Sequence, residues 1–170
     1  MSAAIREALE RLRGQIAAQP EKARARPGPT TARIVQGLRC EVRGPNGETV
    51  STDMAPAMGG EASAPPPGWL MRASLASCTA TCIAMRAATL GVQLTLLEVS
   101  VESDADQRGM LGMDERIPAG PSALRAKVRI GAAGVPADEL RALAEWADRH
   151  APVASTARGS PRYSLEVEVA

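Results

Sequence analysis

The amino-acid sequence predicts a soluble α+β domain, and three observations support this fold class. Apolar residues alternate with charged residues in several short runs, which is typical of half-buried strands. Two further runs show apolar residues at helical spacing. The length of 170 residues fits a single domain with an extra arm. We place the domain at residues 31–170 and interpret residues 1–30 as an N-terminal helical arm and linker.

The predicted elements follow from this patterning. Residues 32–43 alternate as one strand, and Pro45–Glu48 forms a hairpin signal because Asn-Gly accepts turn conformations. A long helix is predicted over residues 68–90, and Gly91 is suited to its C-terminal end. The remaining predictions are strands at 48–54, 92–103, 123–131 and 163–169, and helices at 3–18 and 136–150.

The outward faces of three predicted strands carry charges of different sign. One strand is basic, through Arg125, Lys127 and Arg129. Two strands are acidic, through Glu98 and Glu102 and through Glu166 and Glu168. Opposite charges on neighbouring strands are favourable and like charges are not. We therefore expect the basic strand to lie beside at least one acidic strand.

The composition excludes several classes of partner. With no Phe, one Tyr and two Trp, the core must consist of aliphatic residues and alanine, which bury little area each and favour oligomerisation. The net charge of +1 and the lack of aromatic residues argue against nucleic acid. The apolar region 69–90 has the length of a membrane span, but Arg72 and Arg86 interrupt it. We interpret it as a core helix of a cytoplasmic protein without a membrane partner.

The cysteines are the main candidates for chemistry. Cys78 and Cys82 lie four residues apart on the long helix, so their side chains share one face. They are either a reactive thiol pair or two small buried hydrophobes, and the spacing alone favours the second explanation. A single histidine, His150, is too few for a zinc site, and Arg108 replaces a ligand in the Asp104–Glu115 resemblance to a calcium loop. We therefore predict no metal and no cofactor.

The order of the motifs resembles that of the OsmC/Ohr family of thiol-dependent hydroperoxide reductases. The motifs are Asp53 with Gly59-Gly60 and Pro65-Pro-Pro67, then Leu75-Ala-Ser-Cys78-Thr, Asp106-x-Arg-Gly109-x-x-Gly112 and His150-Ala-Pro-Val153. The resemblance covers residues 31–170. It implies an intertwined homodimer in which antiparallel-rich sheets wrap around two long central helices, with each active site at the subunit interface.

The resemblance also implies roles for individual residues. Cys78 matches the peroxidatic nucleophile, and Arg39 is the best match for the arginine that stabilises its thiolate, with Arg33 and Arg43 as alternatives. This chain departs from the family pattern at two positions. Ala151 stands where the resolving cysteine is expected, and Gly68 stands where an Ohr-type glutamate is expected.

Three functional hypotheses follow. In the first, Cys78 reduces organic hydroperoxides, and its sulfenic acid is resolved by Cys82, by Cys40 or by an external thiol reductant. In the second, the dimer binds a small apolar molecule without catalysis, and binding survives the loss of the Cys78 thiol. In the third, the dimer is purely structural and Cys78 is unreactive. The kept nucleophile position favours the enzyme over the binding protein.

Overall fold

The computed structural model of the protein describes residues 2–169. It is an α+β structure, as predicted, with two antiparallel sheets. Two short 3₁₀ turns, Pro20–Ala23 and Pro56–Met58, accompany its helices and strands. The helices and strands, in chain order, are α1 (Ser2–Ala18), β1 (Thr31–Gln36), β2 (Arg39–Arg43), β3 (Thr49–Thr52), α2 (Pro67–Leu90), β4 (Leu94–Asp104), α3 (Gln107–Met110), β5 (Ala123–Ala132), α4 (Ala137–His150) and α5 (Pro152–Arg158).

The chain forms two compact units. The N-terminal unit spans Glu7–Ser74 and contains the sheet β1–β3 and the start of α2. The C-terminal unit begins at Leu75 and includes the first residues of α1. It contains most of α2, the sheet β4–β5 and the helices that follow.

The N-terminal sheet corrects one prediction. Residues 32–43 are not one strand but two antiparallel strands, β1 and β2, joined by a turn at Gly37 and Leu38. Gly37 has a φ of +52°, in the left-handed region where glycine is favoured. The alternation of apolar and charged residues continues through the turn, which is why it predicted one strand. The tight turn puts Ile34 directly opposite Cys40, so both strands keep their apolar residues on one face.

The predicted hairpin at Pro45–Glu48 is confirmed. β2 and β3 pair in antiparallel fashion, and the Gly44 N–H donates to the Glu48 carbonyl at 2.8 Å. Gly47 takes a φ of +89°, which explains the glycine in the turn. The following strand is shorter than predicted, because it covers Thr49–Thr52 only.

The long helix α2 is confirmed, and one of its faces is buried. Its buried residues recur one turn apart at Leu75, Thr79, Ile83 and Ala87, which brings them onto one face. Length and composition alone would also fit a membrane span. The helix ends as predicted at Gly91, whose φ is +74°.

The sheet β4–β5 is antiparallel and carries the predicted charge pairing. Val99 lies opposite Val128, and both pack against the core of the unit. On the outer face, Arg129 donates to Glu98 at 2.6 Å and Arg125 donates to Asp104 at 2.8 Å. The basic strand therefore lies beside an acidic one, as expected.

Helix α4 packs on α2 through a shared apolar cluster and through a stack of a guanidinium, an indole and an imidazole. Leu143 and Ala147 of α4 join Ile83 and Ala87 in one buried cluster, while the guanidinium of Arg86 lies 4.1 Å from the centre of the Trp146 ring. The imidazole of His150 stacks on the same indole, with centroids 3.9 Å apart and an interplanar angle of 16°. The His150 Nδ1 donates to the Trp146 carbonyl at 2.7 Å.

The C-terminal region differs from the prediction in two ways. Helix α5 was not predicted, and the strand predicted at 163–169 is absent from the described residues. The apolar side chains of that segment are exposed, by 75% for Leu165, 72% for Val167 and 90% for Val169. A strand needs a hydrogen-bonding neighbour, and within residues 2–169 the sheet β4–β5 pairs with no third strand.

Candidate active site around Cys78

Helix α2 places Cys78 at the edge of an apolar cluster. Leu75, Ala151 and Ala154 are the buried members of this cluster, and Cys78 and Cys82 pack against it. Both thiols are partly exposed and reduced. Cys78 is therefore open to a small molecule from one side and shielded from water on the other.

Ala151 is the residue at which the family resemblance led us to expect a resolving cysteine. It is 0% exposed and belongs to the cluster against which Cys78 packs. The chain is fixed there because Ala151 ends α4, Pro152 begins α5, and the Ala151 carbonyl accepts from the Ser155 N–H at 2.9 Å. The methyl group of Ala151 is thus held in the apolar cluster against which Cys78 packs.

Cys82 lies one helical turn after Cys78 on α2. Burial raises the pKa of the Cys82 thiol above its ordinary value, and the neighbouring Cys78 raises it further through charge and hydrogen bonding. Cys82 therefore keeps its proton at neutral pH. A protonated thiol is a poor nucleophile, because thiol chemistry proceeds through the thiolate.

The candidate arginines and Cys40 belong to the N-terminal unit. Cys40 is half-buried on β2, where its thiol points to the Glu41 carbonyl at 3.9 Å. Arg43 is occupied by Glu41, to which it donates at 2.7 Å and 3.0 Å. Arg39 and Arg33 are exposed and have no ion pair within the described chain. Of the three arginines, Arg43 is thus the least available to an external anion.

Asp53 organises the loop that leads into α2. This buried carboxylate accepts from the Met54 N–H at 2.7 Å, the Glu61 N–H at 3.2 Å, and the Ser63 N–H and hydroxyl at 3.0 Å and 2.8 Å. The Ser63 hydrogen bonds, chiefly, lower the pKa of Asp53 to about 2. The sequence had drawn attention to Asp53 only through its family resemblance. In the sequence, the available indication was an aspartate a few residues before Gly59-Gly60. In the structure, that aspartate holds the loop through its hydrogen bonds, and we call this arrangement the Asp53 clamp.

Two glycines of the resembling motifs are required by close packing. A Cβ on Gly60 would overlap the Met54 carbonyl and come within 2.9 Å of Asp53 Oδ1. A Cβ on Gly109 would overlap the carbonyl of Pro118. The close packing of both loops therefore requires glycine at these positions.

The acidic loop after β4 is braced by ion pairs. Asp106 accepts from the Arg108 backbone and guanidinium, and these hydrogen bonds lower the pKa of Asp106 to about 2. Asp114 pairs with Arg116 at 2.7 Å in the same manner. Arg108 thus pairs with Asp106, one of the acidic residues in the resemblance to a calcium loop. Across residues 2–169, no cluster of three potential metal ligands is present.

A groove of about 1090 Å³ lies within the C-terminal unit, beside the cluster of Cys78. Its lining includes Leu75, Thr79, Leu124, Val128, Leu140 and Ala154. Thr79 is buried, and its hydroxyl has no hydrogen-bond partner in the part of the chain that is described. Thr79 was not predicted from the sequence as a site residue, although the spacing of Leu75, Thr79 and Ile83 places one polar side chain on an otherwise apolar face.

One comparison with known proteins identifies a family, and another shows structures with the same fold. A family model described as OsmC-like protein matches residues 60–166. No curated protein matches the sequence. The fold is similar to that of an OsmC-like protein from Mycoplasma pneumoniae, with a TM-score of 0.67 and 14% identity over 81% of this chain and 91% of the other.

Two further solved structures share the fold. An organic hydroperoxide resistance protein OsmC from Legionella pneumophila has a TM-score of 0.57 and 21% identity, and the match covers 79% of this chain and 93% of that one. OhrB of Bacillus subtilis, an organic hydroperoxide resistance protein, has a TM-score of 0.51 and 17% identity, covering 78% and 90%. At these identities the likeness establishes the fold.

Proposed function

Because this chain belongs to the OsmC-like protein family, we propose that it reduces organic hydroperoxides with Cys78 as the nucleophile. One observation carries the proposal: Cys78 is partly exposed on the central helix and packs against the apolar cluster that contains Ala151. An apolar wall beside an accessible thiol suits the organic part of a hydroperoxide. Solved structures with the same fold are named organic hydroperoxide resistance proteins.

The proposed chemistry has three balanced steps. The Cys78 thiolate attacks one peroxide oxygen, the O–O bond breaks, and a proton converts the leaving oxygen into an alcohol, leaving a sulfenic acid on sulfur. An external thiol then condenses with the sulfenic acid, which releases water and forms a mixed disulfide. A second external thiol attacks the external sulfur of this disulfide, which forms a disulfide between the two external thiols and restores the Cys78 thiol.

The external thiol is favoured over both internal candidates. Cys82 holds its proton because burial and Cys78 raise its pKa. Cys82 also lies one turn away on a regular helix, where a disulfide would be strained. The Cys40 thiol is directed to the Glu41 carbonyl of its own strand, at 3.9 Å. A cytoplasmic location, where small thiols are abundant and cysteines stay reduced, fits this scheme.

Arg39 is the cation that we propose to place beside the Cys78 thiolate. Its guanidinium is exposed, whereas Arg43 is already paired with Glu41. Arg33 is the remaining alternative. A cation stabilises the thiolate over the thiol and so increases the reactive fraction.

We further propose that the active protein is a homodimer. The N-terminal sheet leaves apolar side chains open, with Ile34 60% and Leu38 41% exposed. Such exposed apolar surface marks an interaction site in a protein with a small aliphatic core. Sedimentation equilibrium tests this proposal: a mass of twice the chain mass supports it, and a monomer at micromolar concentration contradicts it.

The test of the enzyme proposal is selective oxidation. The reduced protein is treated with a limiting organic hydroperoxide, sulfenic acid is trapped, and the modified cysteine is mapped by mass spectrometry. We expect rapid modification of Cys78 and a normal pattern in Cys82→Ser. Because trypsin leaves Cys78 and Cys82 in one peptide, 73–86, fragmentation of that peptide identifies the oxidised sulfur. An unmodified Cys78 in folded protein, beside a working control peroxidase, would reject the enzyme.

The second candidate function, binding of a small apolar molecule, is favoured by the groove with its buried, unpartnered Thr79 hydroxyl. A buried hydroxyl without a partner is unfavourable, and a bound molecule with a polar atom would relieve it. The test is titration with the apolar fluorophore N-phenylnaphthylamine. Binding should survive Cys78→Ser and fall with Ala126→Trp, which fills the groove. Lys127→Trp, outside the lining on the other face of β5, is the matched control.

A further inference from the structure

Cys78 and Cys82 lie one turn apart on α2, and this spacing sets the distance between their side chains. Residues four apart on a helix have Cβ atoms about 5–6 Å apart and on the same face. A disulfide requires Cβ atoms about 3.5–4.5 Å apart, so α2 keeps these two sulfurs from bonding directly. A bridge one atom longer closes this gap without unwinding the helix.

The surroundings favour such a bridge. Both thiols are partly exposed, so a reagent reaches them, and both pack against the cluster of Leu75, Ala151 and Ala154. The apolar cluster keeps water from one side of the bridged product. Ala80, two residues after Cys78, lies on a different face of the helix, so a cysteine at that position would not face Cys78 as Cys82 does.

We propose that Cys78 and Cys82 together form a bidentate site for a soft, thiophilic centre of the trivalent arsenical class. Thiolate sulfur is the ligand type that soft centres prefer. With phenylarsine oxide the step is a condensation: two S–H bonds and the As–O bond break, two As–S bonds form, and one water leaves. Arsenic remains trivalent, so no oxidant or reductant takes part. The inference goes beyond the proposed peroxide reduction and does not require it.

The raised pKa of Cys82 is compatible with this chemistry. Condensation releases the thiol protons in the water that leaves, so a protonated Cys82 is a competent partner even though it is a poor attacking nucleophile. The same property that disfavours Cys82 as a resolving thiol thus leaves it available as a ligand.

The test uses the full-length reduced protein and phenylarsine oxide. We expect native mass spectrometry to show one arsenical per chain that resists a monothiol and is released by a dithiol. After digestion, the adduct should lie within peptide 73–86, with both sulfurs consumed. An adduct that links peptide 73–86 to peptide 40–43, or no retained adduct, would overturn the proposal.

Variants distinguish binding by the Cys78–Cys82 pair from binding by any two cysteines of the chain. Cys78→Ser and Cys82→Ser should each abolish monothiol-resistant binding. The double variant Cys82→Ser/Ala80→Cys keeps three cysteines but moves one to another face, and it should also lose the adduct. Retention by any of these three variants, with a normal melting curve, contradicts the assignment. Peroxide consumption is measured separately, so the failure of one proposal leaves the other intact.

Discussion

At the scale of single residues, Asp53 makes the stability of the protein depend on acid. Its pKa is about 2 in the folded chain, whereas an unfolded aspartate titrates near ~3.9. Because the folded value is the lower one, the stabilisation is fully present above about pH 4 and is lost as the pH falls from there towards 2. The source is the set of N–H and O–H donors that surround the carboxylate.

The first prediction concerns Asp53→Asn. An amide presents an NH₂ group to donors that need an acceptor, so the variant should melt at a lower temperature at pH 7. The difference from wild type should shrink as the pH falls towards 2. Thermal unfolding followed by circular dichroism across this range is the measurement. Asp138→Asn, at a fully exposed side chain, is the control, and an equal effect of the two changes would contradict the clamp.

The second prediction concerns Gly60→Ala. The new Cβ meets the backbone carbonyl of Met54, which cannot move aside as a flexible side chain would. We expect a loss of more than about 1 kcal/mol in the free energy of unfolding, measured by urea denaturation. Gly120→Ala, where a Cβ meets open space, should leave the midpoint nearly unchanged. Similar midpoints for both variants would show that the loop yields.

The third prediction concerns Ala151→Cys. The added sulfur enters a buried position beside the cluster of Cys78, so a modest destabilisation of about 1–3 kcal/mol is expected from crowding. After one equivalent of organic hydroperoxide and without external thiol, a disulfide should join Cys78 to the introduced thiol. Non-reducing peptide mapping would link peptides 73–86 and 150–158. The combination with Cys78→Ser should show no such link.

At the scale of secondary-structure elements, the strands β4 and β5 are joined by charge as well as by backbone hydrogen bonds. Glu98 and Arg129 are directly opposite in register and form an exposed ion pair. Exposed cross-strand pairs contribute roughly 0.2–1 kcal/mol. The pairing therefore makes a modest contribution to the stability of the sheet and favours the observed register.

The fourth prediction tests this pairing by charge reversal. Arg129→Glu places like charges opposite each other and should lower the free energy of unfolding by about 0.5–1 kcal/mol. The double variant Glu98→Arg/Arg129→Glu should recover most of the loss, and salt should reduce the difference. A double variant as unstable as the single one would show that position, and not charge pairing, matters.

Elements with a strong periodicity of apolar residues were predicted from the sequence, but the turn between β1 and β2 was not. The long helix ends at Gly91 as expected, and the core faces of β4 and β5 alternate as expected. The turn at Gly37 was missed because alternation continues through it, although the glycine itself was the available signal. The predicted strand at 163–169 has the right pattern, but a pattern cannot supply the neighbouring strand that pairing requires.

At the scale of the whole molecule, family membership and fold class were both predictable, because the order of the motifs is a long-range property of the sequence. The environment of Cys78 was only partly predictable. The family resemblance drew attention to Ala151, but only the folded chain places Ala151 in the cluster beside Cys78. The buried Thr79 hydroxyl was not foreseen, since burial of one polar group depends on what packs around it.

The stack of Arg86, Trp146 and His150 gives the protein a built-in optical reporter. The indole of Trp146 lies against a guanidinium from α2 and an imidazole from its own helix, so its emission depends on the contact between α2 and α4. The only other indole, Trp69, is 47% exposed at the start of α2. With Trp69 replaced by phenylalanine, the remaining fluorescence follows the separation of these two helices in real time, without any attached dye.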